Sequence, residues 1–256
     1  MNPVPFPIAT ARPLVLGHRG ASALAPENTL AAFRLAMEQG ADGFELDVWR
    51  CGSGEVVVFH DEDARRVAGA PLRVARTPFR VLRELDVGAR SGSSFRGERI
   101  PLLAEVLVAF PGAIVNVEMK SGWMPAPGLA REVARVIRGG RAVDRVIVSS
   151  FDCGLLAAFR LLAPEIPTGL LVGPGRGWRV REGACTRLLG VPGLHPALGL
   201  ATDARVGRWH ERGLRLVVWT VDAPGEVERL ARLGVAAVIA DQPGRAREAV
   251  RRASGR

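Results

Sequence analysis

The sequence predicts an α/β protein of the (β/α)8 or TIM barrel class, and two observations support this prediction. Eight segments have the composition of strands, and most of them are separated by segments with the apolar spacing of helices. The chain has 256 residues, of which 48% are hydrophobic, and about 250 residues is typical of one such barrel. We therefore predict that residues 1–256 form a single domain, with a small insertion after the second strand.

The predicted elements alternate along the chain. A strand at residues 14–16 is followed by a helix that begins after its N-cap Thr29 and ends near Gly40, and then by a second strand at 43–48. A short hairpin strand at 56–59 opens the predicted insertion or lid, which spans about residues 52–100 and has weak periodicity from 62 to 99. The remaining strands are predicted at 113–120, 146–150, 168–172, 198–201, 215–221 and 236–240, with helices at 102–110, 129–138, 155–162, 204–212, 226–233 and 245–252, and residues 173–193 stay unassigned.

Composition and charge argue against several classes of protein. The net charge is +9, but the arginines are scattered over most of the predicted helices, so nucleic-acid binding is not expected. There is no apolar run of about 18 residues, which argues against integral membrane association. The first residues lack the features of a secretory signal, and a cytoplasmic location is therefore expected. The sequence indicates no oligomeric state.

The three cysteines are interpreted as buried or bystander thiols. Cys51, Cys153 and Cys185 are far apart in the sequence and odd in number. This arrangement argues against a disulfide framework and does not have the close spacing of a zinc site.

Three carboxylates are predicted to face the inside of the barrel. Glu45 and Asp47 lie two residues apart on the second strand, so their side chains share one face, while apolar residues 44, 46 and 48 occupy the other. Glu118 has the same inward position on the strand at 113–120. A set of oxygen ligands suits Mg²⁺ or Ca²⁺, and these three acids are therefore the candidate metal ligands. Ion pairs with nearby arginines are the alternative.

Two histidines are candidates for proton transfer. His18 and His60 each follow a short apolar strand, and this position suits a general acid and a general base on opposite sides of a reacting centre. Histidine has the unperturbed pKa that permits both roles near neutral pH. His195 and His210, by contrast, are interpreted as structural residues with satisfied hydrogen bonds.

Three further side chains are candidates for substrate binding. Arg19 and Lys120 would bring positive charge beside the carboxylates, as an anionic, phosphoryl substrate requires. Lys120 is the single lysine among 35 basic side chains, which indicates that a compact ammonium is needed there, with chance as the alternative. Trp219 is placed at a strand end, where it could pack against the apolar side of a substrate or belong to the core.

Several short motifs, taken together and in order, resemble the glycerophosphodiester phosphodiesterase family. They are HRG at 18–20, PENT at 26–29, E-x-D at 45–47, HD at 60–61, NVEMK at 116–120, WTVD at 219–222 and DQP at 241–243. The resemblance implies a TIM barrel that hydrolyses glycerophosphodiesters to glycerol 3-phosphate and an alcohol with a divalent cation. It also implies metal ligation by Glu45, Asp47 and Glu118, acid–base catalysis by His18 and His60, and phosphate binding by Arg19 and Lys120.

The family mechanism implied by the resemblance passes through a cyclic phosphate that water then opens. Two departures from the family pattern concern the turn and the insertion: Cys51 with Ser53-Gly54 before the HD strand, and Arg66-Val67-Ala68 after it. These changes affect the expected substrate preference more than the chemistry. A phospholipase D acting on lysophospholipid or sphingomyelin head groups is the alternative enzyme, and an arginine-rich binding protein without catalytic activity is the alternative class.

Overall fold

The protein is a closed barrel of parallel strands surrounded by helices. The computed structural model describes residues 12–121, 127–175, 177, 182, 186, 188 and 190–255. The strands of this part are β1 Leu14–His18, β2 Gly43–Arg50, β3 Val56–Val58, β4 Ile114–Met119, β5 Val146–Ser150, β6 Thr168–Val172, β7 Gly193–Pro196, β8 Arg215–Val218 and β9 Ala237–Ala240. Its α-helices are α1 Leu30–Glu38, α2 Arg65–Ala68, α3 Phe79–Leu82, α4 Leu103–Ala109, α5 Pro127–Gly139, α6 Cys153–Leu162, α7 Asp203–Glu211, α8 Pro224–Arg232 and α9 Pro243–Ala253.

Strand pairing closes the barrel. β1 pairs in parallel with β2, where Leu16 is opposite Gly43, and with β9, where Leu14 is opposite Ala237. The remaining parallel strands follow in the order β9, β8, β7, β6, β5, β4, β2. β3 adds to the edge of β2 as an antiparallel hairpin, with Val48 opposite Val58. The predicted (β/α)8 fold is thus confirmed, and so is the predicted hairpin.

The alternation of side chains along β2 explains why acids line the barrel. Phe44, Leu46 and Val48 are fully buried on the outer face of the strand, against the helices. The ring of Phe44 stacks on that of Phe33 from α1, with 4.3 Å between their centroids. Since neighbouring side chains of a strand point to opposite faces, Glu45 and Asp47 face the barrel interior.

The two ends of the barrel interior differ in polarity. An apolar layer fills the end near the start of the strands. It consists of Leu14, Leu16, Ile114, Ile147, Val217, Ala237 and Ile239. Glu45, Asp47 and Glu118 lie further along their strands, towards the carboxyl ends where barrel enzymes hold their functional groups.

Two strand predictions need correction. The strand predicted at residues 198–201 is wrong, because the sixth barrel strand is β7 and Leu198–Leu200 forms a 3-10 turn. β7 contains glycine, histidine and proline, and glycine and proline are uncommon in strands, so the sequence does not indicate a strand there. The strand predicted over 215–221 ends at Val218, so Trp219 follows the strand directly.

The region after β2 forms a small structural unit. Between β3 and α4 the chain contains α2, α3 and two 3-10 turns, Val74–Arg76 and Ser93–Phe95. Its apolar side chains form a separate cluster around Trp49 and Val57. Because this cluster packs on the outer part of the β2–β3 hairpin, the segment has an anchored position beside the barrel.

The cysteine interpretation is wrong for Cys153. Cys153, the first residue of α6, is disulfide-bonded, although its spacing from the other cysteines gives no sign of a disulfide framework. Cys51 is a free, buried thiol, as predicted. Cys185 lies outside the described residues. Among the helices that the structure describes, none has the length and apolar character to cross a membrane.

Candidate active site

The carboxyl ends of the strands surround one cavity, and the eight predicted site residues lie at or beside it. Seven of them line the cavity wall, while Asp47 is buried next to it, in contact with Lys120. The complete lining consists of His18, Arg19, Glu45, His60, Asn116, Glu118, Lys120, Phe151, Leu171, Trp219 and Ile239. The structure therefore brings these eight side chains together at the carboxyl ends of the strands.

The three predicted acids form a compact cluster. Ligand oxygens of Glu45, Asp47 and Glu118 all lie within 4.8 Å of one another. Their positions follow from the register of the sheet, because Asp47 is directly opposite Glu118 on the neighbouring strand. All three residues are buried, with exposed fractions of 4%, 1% and 8%. Three carboxylates at this spacing have the geometry and the hard oxygen donors that a divalent cation requires.

The charge balance of the cluster also favours a cation. Burial and the neighbouring charge of Asp47 raise the pKa of Glu45 to about 8 and that of Glu118 to about 7. Burial opposes ionisation of Asp47 as well, but Lys120 and Arg19 outweigh it and lower its pKa. Ionisation of all three acids would leave more negative charge than Lys120 and Arg19 balance, and a bound cation would offset this excess. The residues present fit a divalent cation.

Asn28 fixes the orientation of Asp47. Its Nδ2 donates to Asp47 Oδ2 at 2.8 Å, and its Oδ1 accepts from the Asp47 amide at 3.3 Å. Asn28 is buried and has a φ of 58°, a left-handed conformation that asparagine tolerates better than most residues. The next residue, Thr29, caps α1 by accepting from the Ala32 amide, as predicted.

His18 is paired with a carboxylate that directly follows the last barrel strand. His18 Nδ1 and Asp241 Oδ1 are 2.6 Å apart, and Ser22 Oγ donates to the same oxygen at 2.9 Å. Burial lowers the pKa of His18, but the hydrogen bond to Asp241 and the charge of Glu45 outweigh it, so the net shift is upward. With Nδ1 occupied, Nε2 is the nitrogen left for a substrate.

His60 has an equivalent partner next to it in the sequence. His60 Nδ1 lies 2.6 Å from Asp61 Oδ1, and the indole of Trp49 donates to the His60 carbonyl at 3.1 Å. Burial and the positive charges of Lys120 and Arg19 lower the pKa of His60, against the opposing effect of Asp47. Nε2 is again the unpaired ring nitrogen.

The two predicted cations lie among the carboxylates. Lys120 Nζ is 2.5 Å from Glu118 Oε1 and 2.8 Å from Asp47 Oδ1. Arg19 Nη1 donates to Glu27 Oε1 at 3.0 Å. Arg19 Nε lies 3.4 Å from Asp47 Oδ2 but has no hydrogen-bond partner among the described residues. The site therefore combines acids with positive charge that can face an anionic group.

An apolar wall forms the opposite side of the cavity. Trp219 meets Phe151 edge to face, with 5.6 Å between ring centroids, and Leu171 and Ile239 extend this surface. The Trp219 indole donates to the His195 carbonyl at 2.7 Å, which fixes its ring. Trp219 thus lines the cavity and is not simply part of the core.

His195 differs from its predicted environment. It is fully buried inside the barrel, but neither ring nitrogen has a hydrogen-bond partner among the described residues. The ring fills the space left by Gly169, where a Cβ would lie 2.0 Å from Nε2. Burial lowers the pKa of His195 to about 3. The interpretation of His195 as a hydrogen-bonded residue is therefore wrong, whereas its place outside the reactive cavity is as predicted.

Several residues that hold the site were not predicted from the sequence. Glu27, Asn28 and Asp241 each contact a predicted site residue. Their motifs, PENT and DQP, were recognised only as marks of a family. These contacts span 8, 19 and 223 residues of chain, and hydrophobic periodicity carries no signal for any of them.

The fold and the site together define a TIM-barrel enzyme that acts on an anionic substrate. The sequence profile of the glycerophosphoryl diester phosphodiesterase family matches residues 18–245. The chain belongs to this family and, as predicted, is an enzyme of this class.

Individual relatives agree over nearly the whole length. A glycerophosphodiester phosphodiesterase of Caldanaerobacter subterraneus subsp. tengcongensis is 37% identical, over 90% of this chain and 94% of the relative. One of Bacillus altitudinis is 31% identical, over 91% of this chain and 96% of the relative. A phosphodiesterase of Oleispira antarctica, solved in complex with the product sn-glycerol-3-phosphate, superposes with a TM-score of 0.85 at 29% identity, over 93% of this chain and 97% of that one.

Proposed function

We propose that the protein hydrolyses glycerophosphodiesters to glycerol 3-phosphate and an alcohol, with a divalent cation and two histidines. The observation that carries this proposal is the arrangement of the cavity, in which His18 and His60 share one space with Glu45, Glu118 and two cations, while Asp47 completes the acidic cluster beside it. The product complex of the related Oleispira antarctica enzyme supports the choice of substrate. The small-molecule diester is the expected partner, and nucleic acid is not.

Glu45, Asp47 and Glu118 are the proposed ligands of the cation, which we propose to be Mg²⁺ or Ca²⁺ because all the donors are carboxylate oxygens. When bound, such a cation neutralises charge on the phosphoryl group and lowers the pKa of the attacking hydroxyl. Asn28 contributes by fixing the carboxylate of Asp47 in its orientation.

The histidines move the protons. In the first step, the neighbouring glycerol hydroxyl forms a bond to phosphorus and gives its proton to Nε2 of one imidazole, while the bond from phosphorus to the alcohol oxygen breaks. The second imidazole donates a proton to the departing alcohol, leaving a cyclic phosphate. Water then opens the ring with the two roles exchanged. The carboxylates of Asp241 and Asp61 on the Nδ1 atoms hold each ring in the tautomer and orientation needed.

The remaining predicted residues bind the substrate. Arg19 and Lys120 are the proposed contacts to the phosphate oxygens, because they bring positive charge to the cavity wall. Trp219, fixed by its bond to the His195 carbonyl, is the proposed surface for the apolar side of the diester. The segment at about 52–100 is the proposed insertion beside the site, within a single domain.

The expected cytoplasmic location stays a prediction. Location in the cell has to be measured separately from activity.

A coupled assay for released glycerol 3-phosphate tests the proposal. The panel pairs glycerophosphocholine, glycerophosphoethanolamine and lysophosphatidylcholine with Mg²⁺, Ca²⁺ or EDTA. We expect release from the two glycerophosphodiesters with at least one cation and none with EDTA. Free choline with no glycerol 3-phosphate, from lysophosphatidylcholine only, would instead support the phospholipase D alternative. Activity that survives both EDTA and His18→Ala would contradict the proposed mechanism.

A further inference from the structure

One arginine of the insertion bridges two carboxylates at the edge of the cavity. Arg66, in α2, donates to Glu27 from Nη1 to Oε2 at 2.8 Å and from Nη2 to Oε1 at 2.7 Å. It donates to Asp61 from Nε to Oδ2 at 2.7 Å and from Nη2 to Oδ1 at 3.1 Å. A single guanidinium thus makes two bidentate pairs, which the point charge of a lysine cannot reproduce.

Each of these carboxylates holds one side chain of the proposed reaction. Glu27 Oε1 accepts from Arg19 Nη1, and Asp61 Oδ1 contacts His60 Nδ1. Glu27 precedes α1, whereas Asp61 follows β3, so the two acids come from separate loops. Arg66 therefore links these loops. It connects through Glu27 to Arg19, the proposed phosphate contact, and through Asp61 to the imidazole of His60.

We infer that Arg66 is a positioning residue, which orients His60 through Asp61 and Arg19 through Glu27. This inference rests on the proposed function, because it assigns Arg66 to the same site and reaction. Arg66 does not touch the reacting atoms. It holds His60, which transfers a proton, and Arg19, which binds phosphate, in a fixed orientation relative to each other.

An ordinary surface salt bridge is the competing explanation. Exposed ion pairs contribute about 0–1 kcal/mol unless their geometry is bidentate or they form a network. The Arg66 side chain is 51% exposed, but its partners Glu27 and Asp61 are only 20% and 23% exposed. The adjacent Arg65 shows the ordinary case, since its side chain is 70% exposed and its Nε lies 3.8 Å from Asp63. Arg65 is therefore the matched control.

The position of α2 does not depend on the Arg66 guanidinium alone. Val67 and Ala68, the next two residues, pack against the apolar cluster of the insertion. The Arg66 carbonyl also accepts from Arg90 Nη1 at 2.8 Å, a bond that any residue at 66 retains. A substitution at 66 should thus leave the segment folded and change the orientation of the site residues.

A double-mutant cycle separates positioning from folding. Steady-state kinetics with glycerophosphocholine and saturating cation are measured for Arg66→Gln, Arg66→Lys and Arg65→Gln, and for Arg66→Gln combined with Asp61→Asn or with Glu27→Gln. We expect Arg66→Gln to lower kcat/KM by about 10- to 100-fold, as is typical for groups that orient functional side chains. Arg66→Lys should recover part of this loss, and Arg65→Gln should match the wild type.

The split between kcat and KM identifies the route of the effect. In the Asp61→Asn background, Arg66→Gln should raise KM with little further loss of kcat, because the link to His60 is already broken. In the Glu27→Gln background it should lower kcat with little further change in KM. A merely structural role would lower kcat and raise KM in both backgrounds.

The kinetics of the wild type and of the Arg66 variants either support or overturn the role of Arg66. Kinetics of Arg66→Gln equal to those of Arg65→Gln, in a wild type that hydrolyses the diester, would overturn the role of Arg66 and leave the proposed function intact. A wild type that does not hydrolyse the diester would overturn both. If thermal unfolding shows that Arg66→Gln is not folded, the cycle is run with Arg66→Lys, and additive losses in both backgrounds would contradict the inference.

Discussion

His18 and Asp241 lie 223 residues apart in the sequence, but His18 Nδ1 and Asp241 Oδ1 are separated by only 2.6 Å. The contact is a consequence of barrel closure. His18 ends β1, Asp241 follows β9, and these first and last strands pair in parallel. Asp241 is itself held in place, because Asp222 Oδ1 accepts from its amide at 2.8 Å. Folding of the complete barrel therefore fixes the orientation of a proposed catalytic imidazole.

Replacing this carboxylate should slow catalysis with little loss of stability. We expect Asp241→Asn to lower kcat by at least about tenfold, because an amide can donate to Nδ1 and select the wrong tautomer. The measurement is kcat for glycerophosphocholine together with the thermal unfolding temperature. Ser22→Ala keeps the carboxylate and is the control, with kcat within about threefold of the wild type. Equal kinetics for the two variants would contradict the role of Asp241.

Much of this site follows from local rules of sequence. The inward positions of Glu45, Asp47 and Glu118 follow from strand alternation, and their approach to one another follows from parallel pairing. The positions of His18 and His60 follow from the rule that functional groups lie at the carboxyl ends of barrel strands. Such features can be predicted because they depend on the position of each residue within its own strand and on the regular pairing of barrel strands.

The remaining features depend on distant parts of the chain. The bonds of Asp241 to His18 and of Arg66 to Glu27 join separate elements of the fold, and no spacing along the sequence encodes them. The sequence predicts this strand at 198–201 and not at β7 for a related reason. In β7, Gly193 pairs with Gly169, and the two glycines leave room for the His195 ring. β7 approaches its neighbour closely through glycine, and it lacks the β-branched residues by which strands are recognised in a sequence.

The metal-free protein should lose stability as the pH rises. The pKa of Glu45 is raised to about 8 in the folded protein, compared with about 4.3 for an exposed glutamate. Between these values the folded state binds more protons than the unfolded state, so the free energy of unfolding falls as pH increases. The measurement is thermal unfolding in EDTA from pH 5 to 9. Glu45→Gln should flatten this dependence.

A divalent cation should reverse the same effect. Mg²⁺ or Ca²⁺ binds the carboxylates of the folded protein. It should therefore raise the unfolding temperature most at pH 8, where repulsion between the ionised carboxylates is strongest. Glu45→Gln, unfolded under the same conditions, should gain less. A wild type whose unfolding temperature at pH 8 is the same with EDTA and with either cation would contradict the assignment of the acidic cluster.

His195 should make the protein sensitive to acid. Its pKa is lowered to about 3 in the folded state, below about 6.5 in the unfolded chain. Stability is therefore fully present above pH 6.5 and falls below it, by up to about 1.4 kcal/mol per pH unit from this residue. His195→Leu, measured by chemical denaturation at pH 7 and pH 5, should lose less stability than the wild type over this interval. An identical loss in both proteins would show that the imidazole is solvated.

Lys120 should not be replaceable by arginine. Its ammonium lies between Glu118 and Asp47, and a planar guanidinium needs more room and different contacts. We expect Lys120→Arg to lower kcat/KM by about tenfold or more. Lys120→Met is the companion variant, because it removes the charge but keeps an unbranched side chain. Comparison of the two variants distinguishes the effect of charge from that of side-chain shape. If Lys120→Arg retains wild-type kinetics while Lys120→Met does not, charge alone matters at this position.

In the proposed reaction the acidic cluster and the two imidazoles act jointly, and one titration tests this joint action directly. Protein freed of metal with EDTA and then dialysed is given glycerophosphocholine, and glycerol 3-phosphate is measured as Mg²⁺ or Ca²⁺ is added back. We predict no release without cation, saturable recovery in the wild type, and no recovery in His18→Ala or His60→Ala, which should remain folded. Release by the metal-free wild type, or full recovery in both histidine variants, would contradict the account.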